Sequence, residues 1–187
     1  MDEKESGGFL GFMSLKDTLA GDGYIGAALV TDLQGVPQEF RCTHPVKPTV
    51  VQKSLYGTAL EPYIGVELCG KPLFALLQNK PSILIVESEI LLELRSAISC
   101  PVVLVRKAGE AIEVSTGGGK RSPLIRIEST SGKYQPLVIT THPAYADDFS
   151  STRTIVEEAF ARFDLIEPFD RISKALEMLA KQDQRFQ

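Results

Sequence analysis

The sequence predicts an α/β fold (α+β mixed), in which helices pack on a mixed β-sheet. Three observations lead to this prediction. Apolar runs separated by turn residues near the N-terminus indicate a β-hairpin, and a strand–helix–strand pattern in the middle indicates a βαβ unit. The last part of the chain has the apolar spacing of two amphipathic helices.

The N-terminus is predicted to contain a tail and an unusual apolar segment. Residues 1–8 are charged and contain glycine, so we expect a flexible tail before a single α/β domain over residues 9–187. Residues 9–13 are apolar enough to need a partner surface, which the same domain or a neighbouring subunit could provide. This segment is the first indication of self-association.

A β-hairpin and a helix are expected next. Residues 24–31 are largely apolar and residues 36–43 alternate weakly, with turn residues between them, as in a hairpin. Thr49 can cap a helix that follows, in which Val51 and Leu55 lie on one face. Ala59 continues the spacing by four, so the sequence predicts one apolar face on this helix.

A βαβ unit is predicted after the helical region. Pro62 is expected to open a second helical segment or to kink the first, and Gly70 is expected to end the region. Residues 82–86 and 101–105 are apolar runs on either side of a helical pattern at 90–98. Short connections of this kind make two parallel strands joined by a helix.

An antiparallel meander and a helical pair complete the prediction. Residues 111–115, 124–128 and 135–140 are expected to be short strands joined by Gly/Ser-rich turns. Residues 150–187 are expected to be a C-terminal helical pair. The second helix has one apolar stripe, made of Phe169, Ile172, Leu176 and Leu179. This stripe could cover the protein's own sheet or form a homodimer.

Composition restricts the class of protein. The chain has 187 residues, 43% hydrophobic and 24% charged, with a formal net charge of −4, so nothing attracts it as a whole to nucleic acid or an anionic membrane. Three cysteines without CxxC spacing argue against a disulfide framework or a zinc ribbon. No signal peptide or long apolar run is present, so we expect a cytoplasmic protein without a membrane partner.

A basic segment is the main electrostatic feature of the sequence. No acidic residue occurs between Arg41 and Leu60, although the protein is net acidic. A helix start within this segment would offer free N–H groups to a phosphate or a carboxylate. The predicted ligand-binding residues are Arg41, Thr43, Lys47, Thr49, Lys53 and Tyr56. The alternative is a solvated basic face that balances acidic residues elsewhere.

The two histidines follow predicted strands in the same tripeptide, Thr-His-Pro. His44 and His142 have Cys42 and Asp147 near them in sequence, which are residue types that bind metals or perform nucleophilic catalysis. A metal site or a cysteine hydrolase would require these four residues to converge in the fold. The alternative is that each imidazole bonds to the backbone at the end of a strand, and that Cys42 is a small core residue.

Two further patterns suggest ligands but have simpler explanations. Glu87 and Glu89 follow a strand of the βαβ unit and could hold Mg²⁺, as in nucleases of the RNase H type, but that site would need an aspartate in the first strand. Helix N-terminal charges are the simpler explanation. Residues 117–122 lack the glycine and the Ser/Thr positions of a phosphate-binding loop, and are predicted to be a hairpin turn.

One segment carries a resemblance. Residues 39–43, then Pro45, residues 47–49, Gln52 and residues 55–57 are similar to a segment of a family of uncharacterised bacterial proteins. The resemblance covers about the first half of the chain. It implies no activity, cofactor or partner, and marks residues 39–57 as the distinctive element.

The sequence leaves three classes of function open. The leading hypothesis is a binding protein that takes an anionic ligand or nucleic acid through residues 41–56, without a cofactor. The second is a small metal-dependent or cysteine hydrolase that uses Cys42, His44, His142 and Asp147. The third is a homodimeric structural or assembly protein.

Overall fold

A seven-stranded mixed sheet forms the centre of the protein in the computed structural model, which describes residues 8–110 and 124–186. The strand order among these residues is β3-β2-β1-β4-β5-β7-β6. The strands are β1 (Leu10–Asp17), β2 (Tyr24–Thr31), β3 (Pro37–Cys42), β4 (Ile83–Val86), β5 (Val102–Lys107), β6 (Ile125–Ile127) and β7 (Leu137–Thr141). The predicted mixed α/β fold is thereby confirmed.

The apolar segment near the N-terminus is part of β1, at the centre of the sheet. This strand pairs antiparallel with β2 and parallel with β4. Leu10 and Phe12 have no exposed surface, and the ring of Phe12 contacts those of Phe163 and Phe169 edge-on. The segment therefore packs within its own domain, and its hydrophobicity no longer supports a homodimer.

The predicted hairpin and βαβ unit are both present. Strands β2 and β3 are antiparallel, and Asp32 shapes their turn by accepting hydrogen bonds from the N–H groups of Gln34 and Val36. Strands β4 and β5 are parallel. The helix between them is α4 (Glu89–Leu92), which tightens into a 3₁₀ turn at Glu93–Ser96.

A continuous helical region follows β3, and its second half covers one face of the sheet. It comprises α1 (Val50–Tyr56), a 3₁₀ turn at Gly57–Ala59, α2 (Leu60–Tyr63), a π-helix at Ile64–Gly70 and α3 (Lys71–Leu76). Pro62 lies in α2, a second helical segment, whereas Gly70 does not end the region, contrary to expectation. At Gly70 a Cβ atom would lie 2.6 Å from Leu94 Cδ2, so glycine permits close packing against the 3₁₀ turn that follows α4.

Two C-terminal helices cover the opposite face, α5 (Asp148–Arg162) and α6 (Glu167–Gln182). Phe169, Ile172 and Leu176 of α6 are buried in the core between the helices and the sheet. The apolar stripe thus covers the protein's own sheet rather than a second subunit. None of the described helices combines the length and hydrophobicity needed to cross a lipid bilayer.

The antiparallel extension is formed by β6 and β7, which pair with each other next to β5. The other predicted strand, at 111–115, and the glycine-rich turn at 117–122 lie outside the described residues, as do residues 1–7 of the predicted tail.

Candidate functional site

The parallel strands β1 and β4 end side by side and bring three polar side chains together. The Ser14 hydroxyl donates a hydrogen bond to Glu87 Oε1 at 2.8 Å, and Lys16 Nζ lies 2.5 Å from the same oxygen. Ser14 is fully buried and is the last buried residue of β1. Open sheets bind ligands at the carboxyl ends of parallel strands, so these strand ends are a candidate for a binding site.

This arrangement does not suit a metal ion. Glu87 already binds a lysine ammonium, and the neighbouring position on β1 is Ser14 rather than a second carboxylate. Glu89 does not join them, since it lies in the first turn of α4 and lines a different cavity. No group of three or more metal-binding side chains occurs within residues 8–110 and 124–186. The predicted helix N-terminal position is therefore correct for Glu89 and wrong for Glu87.

The topology separates the two histidines. His44 follows β3, whereas His142 follows β7, and the two strands run in opposite directions. The histidines thus lie at opposite ends of the strands. Five strand spacings of about 4.8 Å separate them by a further distance of roughly 24 Å across the sheet. The His44 ring stacks on Phe186 instead. The convergence that a metal site or a hydrolase at these residues would require does not occur.

Cys42 and Asp147 are not placed as a catalytic pair. The Cys42 side chain packs partly against the core, and burial raises the pKa of its thiol, which opposes formation of the reactive thiolate. Asp147 is the residue before α5, next to the other edge of the sheet. Cys42 is therefore a core residue, as the simpler interpretation expected.

Arg41 and Thr43, at the end of β3, are engaged within the protein. Arg41 Nε donates to Glu39 Oε1 at 2.5 Å. Burial opposes the charge of Glu39, but hydrogen bonds from the Asn79 N–H, from Arg41 and from the Gln78 N–H keep the pKa of its carboxyl below the usual value. The Thr43 hydroxyl accepts from the Gly26 N–H at 3.1 Å.

Lys47 lies at the sheet edge at which β1 ends. Its neighbour Val46 exchanges two backbone hydrogen bonds with Tyr24, which fixes the chain there. Lys47 Nζ lies 3.0 Å from an oxygen of Asp22, in the turn between β1 and β2. The Thr18 hydroxyl and this ammonium lower the pKa of the Asp22 carboxyl. Both charged groups are nearly half exposed, so the ion pair is weak and Lys47 can exchange Asp22 for another anion.

The start of α1 is closed by its own capping box. The Thr49 hydroxyl accepts from the Gln52 N–H at 3.2 Å, and Gln52 Oε1 accepts from the Thr49 N–H at 2.8 Å. These N–H groups are therefore not free for a phosphate, contrary to the expectation for this helix start. Lys53 is exposed and makes no ion pair with a described residue.

A cavity of about 150 Å³ brings several residues of the basic segment together. The Tyr56 and Tyr63 rings lie 5.1 Å apart, and each tyrosine is about two-fifths exposed. We call the cavity the tyrosine groove. Its lining residues are Val46, Lys47, Pro48, Gln52, Tyr56, Leu60, Tyr63, Ile64 and Leu68. Sequence reasoning missed Tyr63, although its position seven residues after Tyr56 corresponds to two helical turns.

Helix α1 beside the groove is exposed on all sides. It contains no buried residue, and Val51 and Leu55 are 66% and 78% exposed. The apolar face that these residues share does not reach the core, because the helical region is buried only from the π-helix onward. The helix carries one charged residue, Lys53, so the surface next to the groove is apolar and basic.

No protein-family model matches the chain, and none of the curated protein sequences is significantly similar to it. Solved structures do share its fold. The alignment with endonuclease V from Bacillus subtilis covers 94% of this chain and 82% of the endonuclease chain, with a TM-score of 0.55 and 10% identity. Endonuclease V from Ciona intestinalis, in complex with a 24mer DNA containing an inosine followed by a ribo-adenosine, covers 83% and 78%, with a TM-score of 0.51 and 13% identity. At these identities the likeness concerns the fold alone.

Proposed function

We propose that this protein binds single-stranded nucleic acid through the tyrosine groove. The observation that carries the proposal is the exposed Tyr56–Tyr63 pair beside Lys47 and close in sequence to Lys53. Proteins that bind single strands combine aromatic surfaces for the bases with cations for the backbone. The fold, which is shared with a DNA-bound endonuclease V, is consistent with such a partner.

The segment that leads into the groove has charges that favour an anionic ligand over a neutral one, and the first carboxylate after it is the exposed Glu61. The segment from Cys42 to Leu60 contains no acidic residue, and the carboxylate that pairs with Lys47 among the described residues belongs to Asp22 in another turn. Lys53 needs no rearrangement to meet a phosphate. Arg41 is held by Glu39, so we expect it to contribute less than either lysine.

The proposal is for binding rather than cleavage. At the strand ends Glu87 binds Lys16 and Ser14, and its negative charge is already compensated. Metal-dependent cleavage of a phosphodiester uses carboxylates to hold the ions near the scissile bond. We therefore expect an oligonucleotide to remain intact after incubation with the protein and Mg²⁺.

Fluorescence anisotropy with labelled single-stranded DNA and RNA tests the proposal. Tyr56→Ala combined with Tyr63→Ala should weaken binding at least tenfold, because stacking on an aromatic side chain contributes about 1–3 kcal/mol per base. The matched Tyr→Phe variants at both positions keep the rings and should bind nearly as well as the unmodified protein. Two outcomes contradict the proposal: no salt-sensitive binding at low ionic strength, or Phe variants as weak as the Ala variants.

The salt dependence of the same titrations identifies the cations. Lys47→Ala and Lys53→Ala should each weaken binding and reduce the slope of log K against log salt by about 0.7, the value for one phosphate contact on a single strand. Arg41→Ala together with Lys47→Ala should also weaken binding, mainly through Lys47. Lys174→Ala, on exposed α6 surface, is the control. An equal effect of Lys174→Ala would mean that binding does not involve the groove.

A homodimer is a second candidate, favoured by the exposure of Val51 and Leu55 on α1. A second copy would bury this apolar surface against its own, as twofold dimers do. Light scattering should then give about twice the monomer mass, and Leu55→Glu should return it to the monomer value. A monomeric mass for the unmodified protein at high concentration would remove this candidate.

A further inference from the structure

A second cavity, separate from the tyrosine groove, lies near β5 and β7, on the face of the sheet that α4 covers. Its volume is about 300 Å³, which is at the lower end of the range for small-molecule pockets. Ile90, Leu92, Leu104, Pro62 and Pro143 provide most of its apolar lining. Helix α4 forms one wall and the end of β7 forms the other, so it spans two secondary-structure layers.

One residue that lines this cavity, Thr140, has a buried hydroxyl without a partner among the described residues. Thr140 is the register partner of Leu104, and both residues line the cavity from the same face of the sheet. The side chain of Thr140 is 5% exposed, yet no atom among the described residues hydrogen-bonds to its Oγ1. An unpaired buried hydroxyl is costly, so a rotation of the Thr140 side chain that brings its hydroxyl to a hydrogen-bonding group in the cavity would be favourable.

The charged lining of the cavity is acidic. His142 Nδ1 accepts from the Ala144 N–H at 3.1 Å, and its Nε2 lies 3.4 Å from Glu93 Oε2. Histidine is thus oriented by two contacts, which leaves the second oxygen of Glu93 and the carboxylate of Glu89 for a ligand. No lysine or arginine is among the described residues that line the cavity.

We infer that this cavity binds a small organic cation, in which a protonated amine or amidinium is attached to an apolar body. The apolar lining takes the body, Glu93 and Glu89 accept from the cationic N–H groups, and the Thr140 hydroxyl accepts from another donor. A free amine and the lysine or arginine side chain of a partner share this chemistry. The inference does not depend on nucleic-acid binding, which uses other residues.

Calorimetric titration of the full-length protein with benzamidine tests the inference, with neutral benzamide as the matched probe. Benzamidine should bind saturably and benzamide at least about tenfold more weakly, because only the amidinium makes charge-assisted hydrogen bonds. Nα-acetyl-lysine methylamide represents a partner's side chain. Preference for this probe over benzamidine would identify a protein partner as the source, and the reverse preference a free ligand.

Two variants separate a ligand site from a structural role. Glu93→Gln should weaken benzamidine binding about tenfold, whereas Glu158→Gln on exposed α5 surface should not change it. Thr140→Val should raise the midpoint of urea unfolding without ligand and weaken binding, because it removes an unpaired hydroxyl that the ligand uses. Equal binding of the two benzene probes, no binding at millimolar concentrations, or a destabilised Thr140→Val with unchanged affinity would overturn the inference.

Discussion

The Arg95–Asp148 ion pair joins the turn after α4 to the start of α5, and we expect its loss to be the most destabilising change of a charged residue. Arg95 Nε lies 2.5 Å from Asp148 Oδ2, and one terminal nitrogen lies 3.1 Å from Oδ1. The other terminal nitrogen donates to the Ile98 carbonyl at 3.2 Å. The guanidinium also lies 4.2 Å from the centre of the Tyr145 ring.

The burial of the pair determines how much its loss lowers the free energy of unfolding. The side chains of Arg95 and Asp148 are only 17% and 10% exposed, so Arg95→Met would leave a carboxylate buried without its cation. Removal of one partner from a buried pair costs about 3–5 kcal/mol. The two lost charge-assisted hydrogen bonds, at about 1.5–3 kcal/mol each, give a similar figure.

Urea unfolding followed by circular dichroism measures this free energy. Arg95→Met, Asp148→Leu and the double variant form a cycle, in which the double variant should lose less stability than the sum of the two single variants. Arg153→Met is the control, because its pair with Glu157 is exposed and worth about 0.3–0.5 kcal/mol. A cost for Arg95→Met no larger than that of the control would refute the reasoning.

Three other predictions concern stability and thiol chemistry. Glu39→Gln should lower the free energy of unfolding by about 1–2 kcal/mol at neutral pH, because it weakens the hydrogen bonds from Arg41 and Asn79. The native pKa of Glu39 is lowered, so its stabilisation is complete above the unfolded pKa and is lost as the pH falls through the native pKa. The urea midpoints of the two proteins should therefore converge in acid. Gly26→Ala should cost about 1–3 kcal/mol in the same assay, since its Cβ would lie 2.6 Å from Cys69 Cβ. Burial raises the pKa of the Cys100 thiol to about 12, so iodoacetamide should label it slowly in the native protein and rapidly in urea.

Each of these predictions has an outcome that contradicts it. A pH-independent difference between Glu39→Gln and the unmodified protein would mean that the charge of Glu39 is not what stabilises the hydrogen bonds. An unchanged unfolding midpoint for Gly26→Ala would mean that β2 and the π-helix can separate at no cost. Equal labelling of Cys100 in native and unfolded protein would show that the thiol is accessible in the fold.

The parts of the fold that sequence patterns predicted correctly are those whose partners are close in the chain. The β2–β3 hairpin and the β4–β5 crossover depend on short connections and apolar runs, which are visible in one dimension. Strand β1 was not recognised, because it pairs with β4 about seventy residues later and ends in polar residues that have partners only in the fold. Apolar spacing alone did not show whether residues 9–13 belong to a sheet or to an interface.

The candidate site was predictable only in part for the same reason. Local charge drew attention to Lys47, Lys53 and Tyr56, but the partner of Lys47 is Asp22, in a turn that precedes β2. The histidines suggested a joint site because the tripeptide repeats, whereas strand order and direction decide whether two strand ends meet. That information arises from pairing between distant strands and has no signature in the flanking residues.

The π-helix at Ile64–Gly70 has a consequence for how sequence length in this region relates to the surface. The Lys71 N–H bonds to the Val66 carbonyl, five residues earlier, so this turn holds one residue more than an α-helical turn does. Deletion of one residue here would restore the α-helical register and turn everything upstream by about 100° around the helix axis relative to α3. Tyr56 and Tyr63 would then point in a new direction, and Ile64 and Gly65 would leave the buried positions that they hold in the π-helix. The direction of the groove is thus fixed by a residue count together with the buried residues of the π-helix.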